Sequence, residues 1–222
     1  MHASRTITLS DGNWTKTMRF IPATGDQFVV KEVLIDEVYA FDFNKEDIVL
    51  NLWGNIGAFD VYAYDRVKTI ITYEPDPKAF SELQWHLEEN NIMNVIAYNE
   101  AIAPYIWQVP IIIGNESGHN SCIIAGQKWD CVKVPCNSLQ KAIEDSQCTK
   151  IKCDIEGFEY AIFENIVLPV RINEIWLETH TFNIDQRNQH ENLCQDLAGQ
   201  WYNVSIFKND EYNRTFLVQA KR

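Results

Sequence analysis

Glycine and proline are scarce in this 222-residue chain, nine and seven respectively. That is too little of either for a collagenous, proline-rich or low-complexity polypeptide. Basic residues are also in deficit, 19 Lys and Arg against 31 Asp and Glu, for a net charge of −12. A nucleic-acid-binding surface draws most of its affinity from a basic stripe that neutralises phosphates, so nucleic acid is not an expected partner. No apolar run approaches the roughly 18–20 residues of a membrane-spanning helix. The longest, Ile48 to Leu52 and Ile111 to Ile113, are strand-sized, and no membrane partner is expected. The first ten residues, MHASRTITLS, hold no apolar segment of secretory-leader length. The six cysteines (122, 131, 136, 148, 153 and 194) include no C-x-x-C pair. Two C-x4-C spacings occur, Cys131/Cys136 and Cys148/Cys153, without a histidine at ligand spacing, so no metal is expected and the thiols are read as reduced. Sequons begin at Asn13, Asn115, Asn203 and Asn213, and without a leader they are read as chance matches. The expected location is the cytoplasm.

What the chain does have is an average globular composition, 46% hydrophobic and 23% charged. Strand-like and helix-like segments alternate from about Asp47. Ile48–Leu52 and the β-branched Thr69–Tyr73 read as strands. Asp76 is placed to cap a helix whose first residue is Pro77, where a missing N–H costs nothing. Phe80, Leu83 and Leu87 form its apolar stripe, His86 is left on its surface, and it ends at Asn90-Asn91. Val95–Ala101 reads as a third strand. Between Trp107 and Pro135 three short apolar runs separated by Gly- and Asn-rich turns read as inserted hairpins. A helical pattern over Asn137–Ser146 follows, then a strand over Lys150–Asp154, a helix from Glu156, a strand over Ile172–Glu178 and a helix over Asp185–Leu197. Val204–Phe207 and Thr215–Gln219 close as an antiparallel edge pair. Such alternation predicts an α/β fold with a mainly parallel sheet. One domain over 1–222 is expected, with residues 1–46 as an N-terminal extension and 107–135 as the insertion.

In open parallel sheets ligands bind beyond the carboxyl ends of the strands. The residues at those positions are Asn51-Leu-Trp-Gly-Asn-Ile-Gly57, Glu74, Asp154-Ile-Glu156-Gly157 and Glu178-Thr-His180. Glu74 stands 17 residues beyond Gly57, close to the spacing of a carboxylate that takes both vicinal hydroxyls of a ribose. The turn holds Gly54 and Gly57 but not the third glycine of a dinucleotide fingerprint, which favours a nucleoside without phosphates over NAD.

These pieces, in this order, resemble the FkbM-type family of S-adenosylmethionine-dependent methyltransferases. That family shows a strand ending D-x-G-A-N-x-G, a strand ending E-P-x-P, a helix finishing near N-N, and a strand running into D-x-E-G-x-E. Here stand Asn51 to Gly57, Glu74-Pro-Asp-Pro77, Glu89-Asn-Asn91 and Asp154-Ile-Glu-Gly-Phe-Glu159. The resemblance covers about residues 32–178. It implies a Rossmann-like class I methyltransferase with a seven-stranded sheet, and S-adenosyl-L-methionine as cofactor. It implies cofactor contacts from Asn51, Gly54, Asn55, Gly57, Glu74 and Asp154, and a small-molecule substrate methylated on a hydroxyl, such as a sugar. Asp154, Glu156 and His180 are the candidates for acid–base work. Self-association into a homo-oligomer is left open. Two positions depart from the family. Asn51 replaces an Asp, which removes a charge, and Trp53 replaces a Gly, which puts an indole where backbone should approach the cofactor. Either the ring fills the cofactor's space, leaving a binding or scaffold protein on a methyltransferase fold, or it turns into the core.

Overall fold

The computed structural model describes residues 5–10, 15–21, 25–104, 107–112, 121–122, 131–155, 158–181, 183–208 and 215–222. Glu156, Gly157 and residues 113–120 and 209–214, read from the sequence as polar turns, lie outside the described residues.

The alternating segments assemble into a seven-stranded sheet of order β12-β13-β11-β10-β3-β4-β5. Its parallel strands are β3 (Ile48–Leu52), β4 (Thr69–Tyr73), β5 (Val95–Tyr98), β10 (Lys150–Cys153) and β11 (Glu174–His180). The expected mainly parallel sheet is therefore present, and the central strands are buried on both faces, as their continuous apolar runs require. The closing pair, β12 (Asn203–Lys208) and β13 (Thr215–Lys221), is antiparallel as expected, but β13 lies between β11 and β12, leaving β12 as the edge.

Helices cover both faces. α1 (Gly25–Leu34) and α2 (Ala58–Ala63) bury Val30, Val33, Phe59 and Tyr62 on one side, with Trp176 from β11. On the other, α4 (Leu139–Ser146), α5 (Glu159–Phe163) and α6 (Ile184–Gly199) bury Ile143, Ile162, Leu193 and Leu197 against Leu50 and Ile151. α3 (Pro77–Glu89) begins as its sequence dictates: the Asp76 side chain accepts the Lys78 N–H at 2.9 Å and Pro77 opens the first turn. Ser138 and Asn183 cap α4 and α6 in the same way.

Two expectations change. The third strand stops at Tyr98, because the Asn99 amide donates to the Glu74 and Pro75 carbonyls and draws the chain off the sheet edge. Ala101–Ile102 then forms β6, part of a separate four-stranded sheet β6-β9-β7-β8 with β7 (Trp107–Ile112), β8 (Ser121–Cys122) and β9 (Cys131–Asn137). The inserted region thus carries antiparallel pairs, β7 with β8 and with β9, plus one parallel pairing of β6 with β9.

His86 is the second correction. It is fully buried, not on the surface, because the N-terminal hairpin of β1 (Arg5–Ser10) and β2 (Thr15–Phe20) covers that face of α3. Its Nδ1 lies 2.7 Å from the Ile56 carbonyl, and its Nε2 accepts the Arg19 N–H at 2.7 Å. Asn90 extends the clamp by exchanging hydrogen bonds with Thr17 N–H and C=O. Arg19 stacks over Trp85 at 4.2 Å and pairs with Glu82. At the opposite end of the sheet, buried Lys150 binds Glu174 and Asn173 at 3.0 Å each.

The His86 clamp predicts an acid weakness. Burial holds the ring below the ordinary histidine value of 6.5. Its neutral form is needed to accept from Arg19, so the stability it contributes is present above 6.5 and is lost as pH falls from there through the lower value of the folded ring. His86→Ala should cost about 2–6 kcal/mol, since it leaves the buried Ile56 carbonyl and the part-buried Arg19 amide unpaired at about 1–3 kcal/mol each. Urea unfolding at pH 7.5 and 5.5 tests both: the variant should be weaker at pH 7.5 and lose less on acidification than the wild type.

Candidate functional site

The chain leaves β3, proceeds to β4 and β5 on one side, and returns to β10 on the other. The switch point of the sheet is thus the crevice beyond the ends of β3 and β10, where ligands of such sheets bind. The turn after β3 occupies it. Trp53 and Gly54 both donate their N–H to the Tyr73 carbonyl, at 2.8 and 2.9 Å, and Gly57 donates to the Gly54 carbonyl. Gly57, at φ 84, caps α2. The two glycines face the protein: a Cβ on Gly54 would stand 2.3 Å from Thr72 Cγ2, and one on Gly57 3.0 Å from Leu83 Cγ. Their lack of a side chain is used to pack the turn against β4 and α3.

Glu74 closes onto this turn. One carboxylate oxygen accepts the Asn55 N–H at 2.6 Å and the other the Asp76 N–H at 2.7 Å. Only 1% of the residue is exposed. Burial pushes its carboxyl up to about 8, against the pull of the two backbone donors. Asn55, at φ 51, also accepts the Ile56 N–H on its side chain.

Asn51 is fully buried on β3 and donates from Nδ2 to both oxygens of Asp60 at 3.2 and 3.3 Å. Thr72 donates to the same carboxylate. Burial raises Asp60 to about 6. The sequence reading missed Asp60. Its signal was a lone carboxylate in the apolar helix Ala58-Phe-Asp-Val-Tyr-Ala63. The negative charge that Asn51 lacks therefore returns from α2, one hydrogen bond away.

Beyond β10, Lys152 and Asp154 complete the crevice. Buried Lys152 Nζ donates to the Trp53 carbonyl at 3.1 Å and lies 3.7 Å from Asp154 Oδ2. It also sits 5.3 Å from the Tyr39 ring, whose hydroxyl reaches Glu178 Oε2 at 3.3 Å. Lys152 and Tyr39 were likewise missed, since nothing local marks either as a site residue. The structure therefore joins Asn51, Gly54, Asn55, Gly57, Glu74 and Asp154 around one turn. His180 is held elsewhere, by α5: its Nδ1 is 3.0 Å from Glu159 Oε1, and its carbonyl accepts from Tyr160. Glu156 cannot be placed, lying outside the described residues.

Trp53 resolves part of its own question. Its backbone takes the left-handed conformation, φ 71, that favours glycine, and its indole joins the larger core with Leu52 and Tyr73. The crevice is nonetheless nearly closed. A cavity of about 30 Å3 remains, bounded by Val29 and Glu32 of α1, Tyr39, Trp53, Lys152 and Asp154. Small-molecule sites usually enclose about 300–1,000 Å3.

The fit of an adenosyl cofactor is therefore divided. The chemistry of the donor set matches: carboxylates of Glu74 and Asp154 for hydroxyl and ammonium donors, and buried Asn51 Oδ1 and Asp154 Oδ1 without hydrogen-bond partners. The space does not match until the α1 wall or the turn moves. Among the described residues no cluster of three or more metal-ligating side chains occurs, and no helix is long and apolar enough to cross a membrane.

Trp53→Gly should weaken the fold. Loss of a buried indole costs about 3–5 kcal/mol, and relief of the left-handed conformation returns about 1–2, leaving a net loss of about 1–4 kcal/mol. Thermal unfolding of the two proteins checks this. A more stable glycine variant would place the indole outside the core.

The family model described as the Methyltransferase FkbM domain matches residues 52–204. A curated relative, "Methyltransferase 1" of Beauveria bassiana (strain ARSEF 2860), is 33% identical over 110 residues, covering 48% of this chain and 44% of that protein. The match thus spans less than half the length of that relative. The structure of methyltransferase FkbM from Methylobacillus flagellatus KT is similar over 85% of this chain and 47% of its own, with a TM-score of 0.53 and 12% identity. That of M. jannaschii TYW2 in complex with AdoMet is similar over 97% and 85%, with a TM-score of 0.52 and 14% identity. The fold is that of the Rossmann-like class I methyltransferases, and by its matched sequence the chain belongs to the Methyltransferase FkbM domain family.

Proposed function

We propose that the protein transfers a methyl group from S-adenosyl-L-methionine to a hydroxyl of a sugar or other small molecule. The observation that carries this reading is the acceptor set at the switch point, Glu74, Asp154 and Asn51 Oδ1, gathered around the turn after β3. The AdoMet held by a protein of similar fold supports it. When bound, the cofactor supplies an electrophilic methyl group. Glu74 would accept the ribose hydroxyls, Gly54 and Asn55 would present the backbone of the turn, and Asp154 with Asn51 would hold the amino-acid end. Entry requires α1, which walls the crevice with Val29 and Glu32, to move outward. Asp154 stands at the crevice, and it, Glu156 and His180, which Glu159 orients, are the groups proposed for acid–base work on the acceptor hydroxyl. The substrate is proposed to be a small molecule and not nucleic acid, in keeping with the charge of −12, and the protein to act as one cytoplasmic domain.

The closed crevice favours a second reading, a binding or scaffold protein that has kept the fold without the cofactor. Calorimetry with S-adenosylhomocysteine separates the two, because it needs no acceptor. A Glu74 carboxyl that titrates near 8 must lose its proton to accept two hydroxyls. Affinity should therefore rise by roughly tenfold or more between pH 6.5 and 8.5, at up to tenfold per unit below the pKa. Glu74→Gln should bind more weakly and without that dependence. Binding that ignores pH in the wild type would remove Glu74 from the site. No binding at millimolar ligand would leave the scaffold reading.

A further inference from the structure

α6 carries a group of side chains that the crevice does not use. His190 and Cys194 stand one helical turn apart, with Cys194 Sγ 3.9 Å from His190 Nε2. The other ring nitrogen, Nδ1, lies 3.0 Å from Thr179 Oγ1 on β11, and that hydroxyl donates to the Phe216 carbonyl at 3.3 Å. A hydroxyl has a single hydrogen. Assigning it to Phe216 makes Thr179 the acceptor of Nδ1–H, and in that tautomer the lone pair of Nε2 faces the thiol. The Phe216 ring, 4.8 Å away, holds the plane of the imidazole. Nucleophile, base and orienting hydroxyl are thereby in line.

This line opens on a cavity of about 570 Å3, bounded by Thr181, Arg187, His190, Cys194, Ile206 and Phe216. That volume lies in the range of small-molecule sites, about 300–1,000 Å3. Cys148 and Cys153 are free thiols sealed in the core, and they serve as internal controls.

We propose that Cys194, with His190 as its base, is a covalent modification site for a small, uncharged, apolar electrophile of the α,β-unsaturated carbonyl class that binds in this cavity. In the addition His190 Nε2 takes the thiol proton and sulfur bonds to the β-carbon. The π pair of the C=C bond moves into an enolate, and the imidazolium returns the proton to the α-carbon. Nothing is oxidised and no group leaves. Ile206 and Phe216 suit an apolar body, and Arg187 supplies positive charge toward the enolate oxygen.

The charged and titratable groups around the pair are Arg187 and Glu191 on α6 and Tyr160 on α5. β11, β12 and β13 face it with Thr179, Ile206 and Phe216. Burial pushes the Cys194 thiol up to about 11 and holds His190 below the ordinary value of 6.5. Near neutral pH the thiol keeps its proton and the ring is free of charge, so the reaction depends on the base and not on a standing thiolate.

The test is labelling of the intact protein with N-phenylmaleimide, followed by mass spectrometry with peptide mapping from pH 7 to 8.5. Cys194 should react first, at least roughly tenfold ahead of Cys148 and Cys153, at a rate almost flat with pH. His190→Gln should slow Cys194 by on the order of 10²-fold, the low end of what a positioned base supplies, and restore a climb of one decade per pH unit. Ile206→Trp, which narrows the cavity, should slow N-phenylmaleimide more than N-ethylmaleimide. A wild-type rate that climbs a decade per pH unit, or a Cys194 no faster than the buried thiols, overturns the proposal even where a variant fails to fold. Equal slowing of the two maleimides by Ile206→Trp removes the cavity from it.

Discussion

β3 is hemmed in by β4 and β10, buried on both faces, and the chain has five residues in which to leave it and start α2. That constraint governs the whole carboxyl end of the sheet. The turn can stay this tight because Gly54 lets its backbone approach Thr72 and Leu83, and because Trp53 and Gly54 share the Tyr73 carbonyl. Once the turn is placed, its Asn55 N–H points to Glu74 and its Trp53 carbonyl to Lys152. The polar groups beyond β3, β4 and β10 are therefore organised by one short segment. A shift of that segment would loosen all of them together.

The same contacts that build the crevice also shut it. Glu74 is satisfied by two backbone donors and nearly sealed from water. A carboxylate oxygen has room for a second donor, so hydroxyls need not displace the amides; what they need is space, and α1 stands in it. Asn51 Oδ1 and Asp154 Oδ1 are buried with no hydrogen-bond partner in the protein, and a buried acceptor left so costs about 1–3 kcal/mol. A molecule that supplied those donors would recover that energy and could offset the outward movement of α1.

Much of this frame was legible in the sequence because its signals are local. Ile48–Leu52 and Thr69–Tyr73 are strands at the residues read from their β-branched runs, and Asp76-Pro77 starts α3 as a cap and a first-turn proline must. Wherever the deciding partner lies far along the chain, the reading failed. His86 is a core residue only because Arg19, 67 positions earlier, delivers its amide. Val95–Ala101 divides because Asn99 binds back to Glu74 and Pro75. Glu74 was read as an open acceptor, and its closure by Asn55 and Asp76 depends on a turn geometry that no spacing encodes. Asp60 and Lys152 look like ordinary charged residues until the sheet brings Asn51 and Trp53 against them.

The place of β13 in the sheet has a consequence for the order in which the protein can assemble. β13 pairs with β11 from Glu174↔Lys221 to His180↔Thr215, and with β12 from Asn203↔Lys221 to Lys208↔Phe216. It follows β12 in the chain yet separates it from the rest of the sheet. During synthesis β12 emerges before the strand that attaches it, and β11 must keep an edge open for that later arrival. An open edge is a template for any passing strand. The vulnerable interval for this protein is therefore the time between the appearance of His180 and that of Lys221, when the seven-residue edge of β11 waits for a partner still being made.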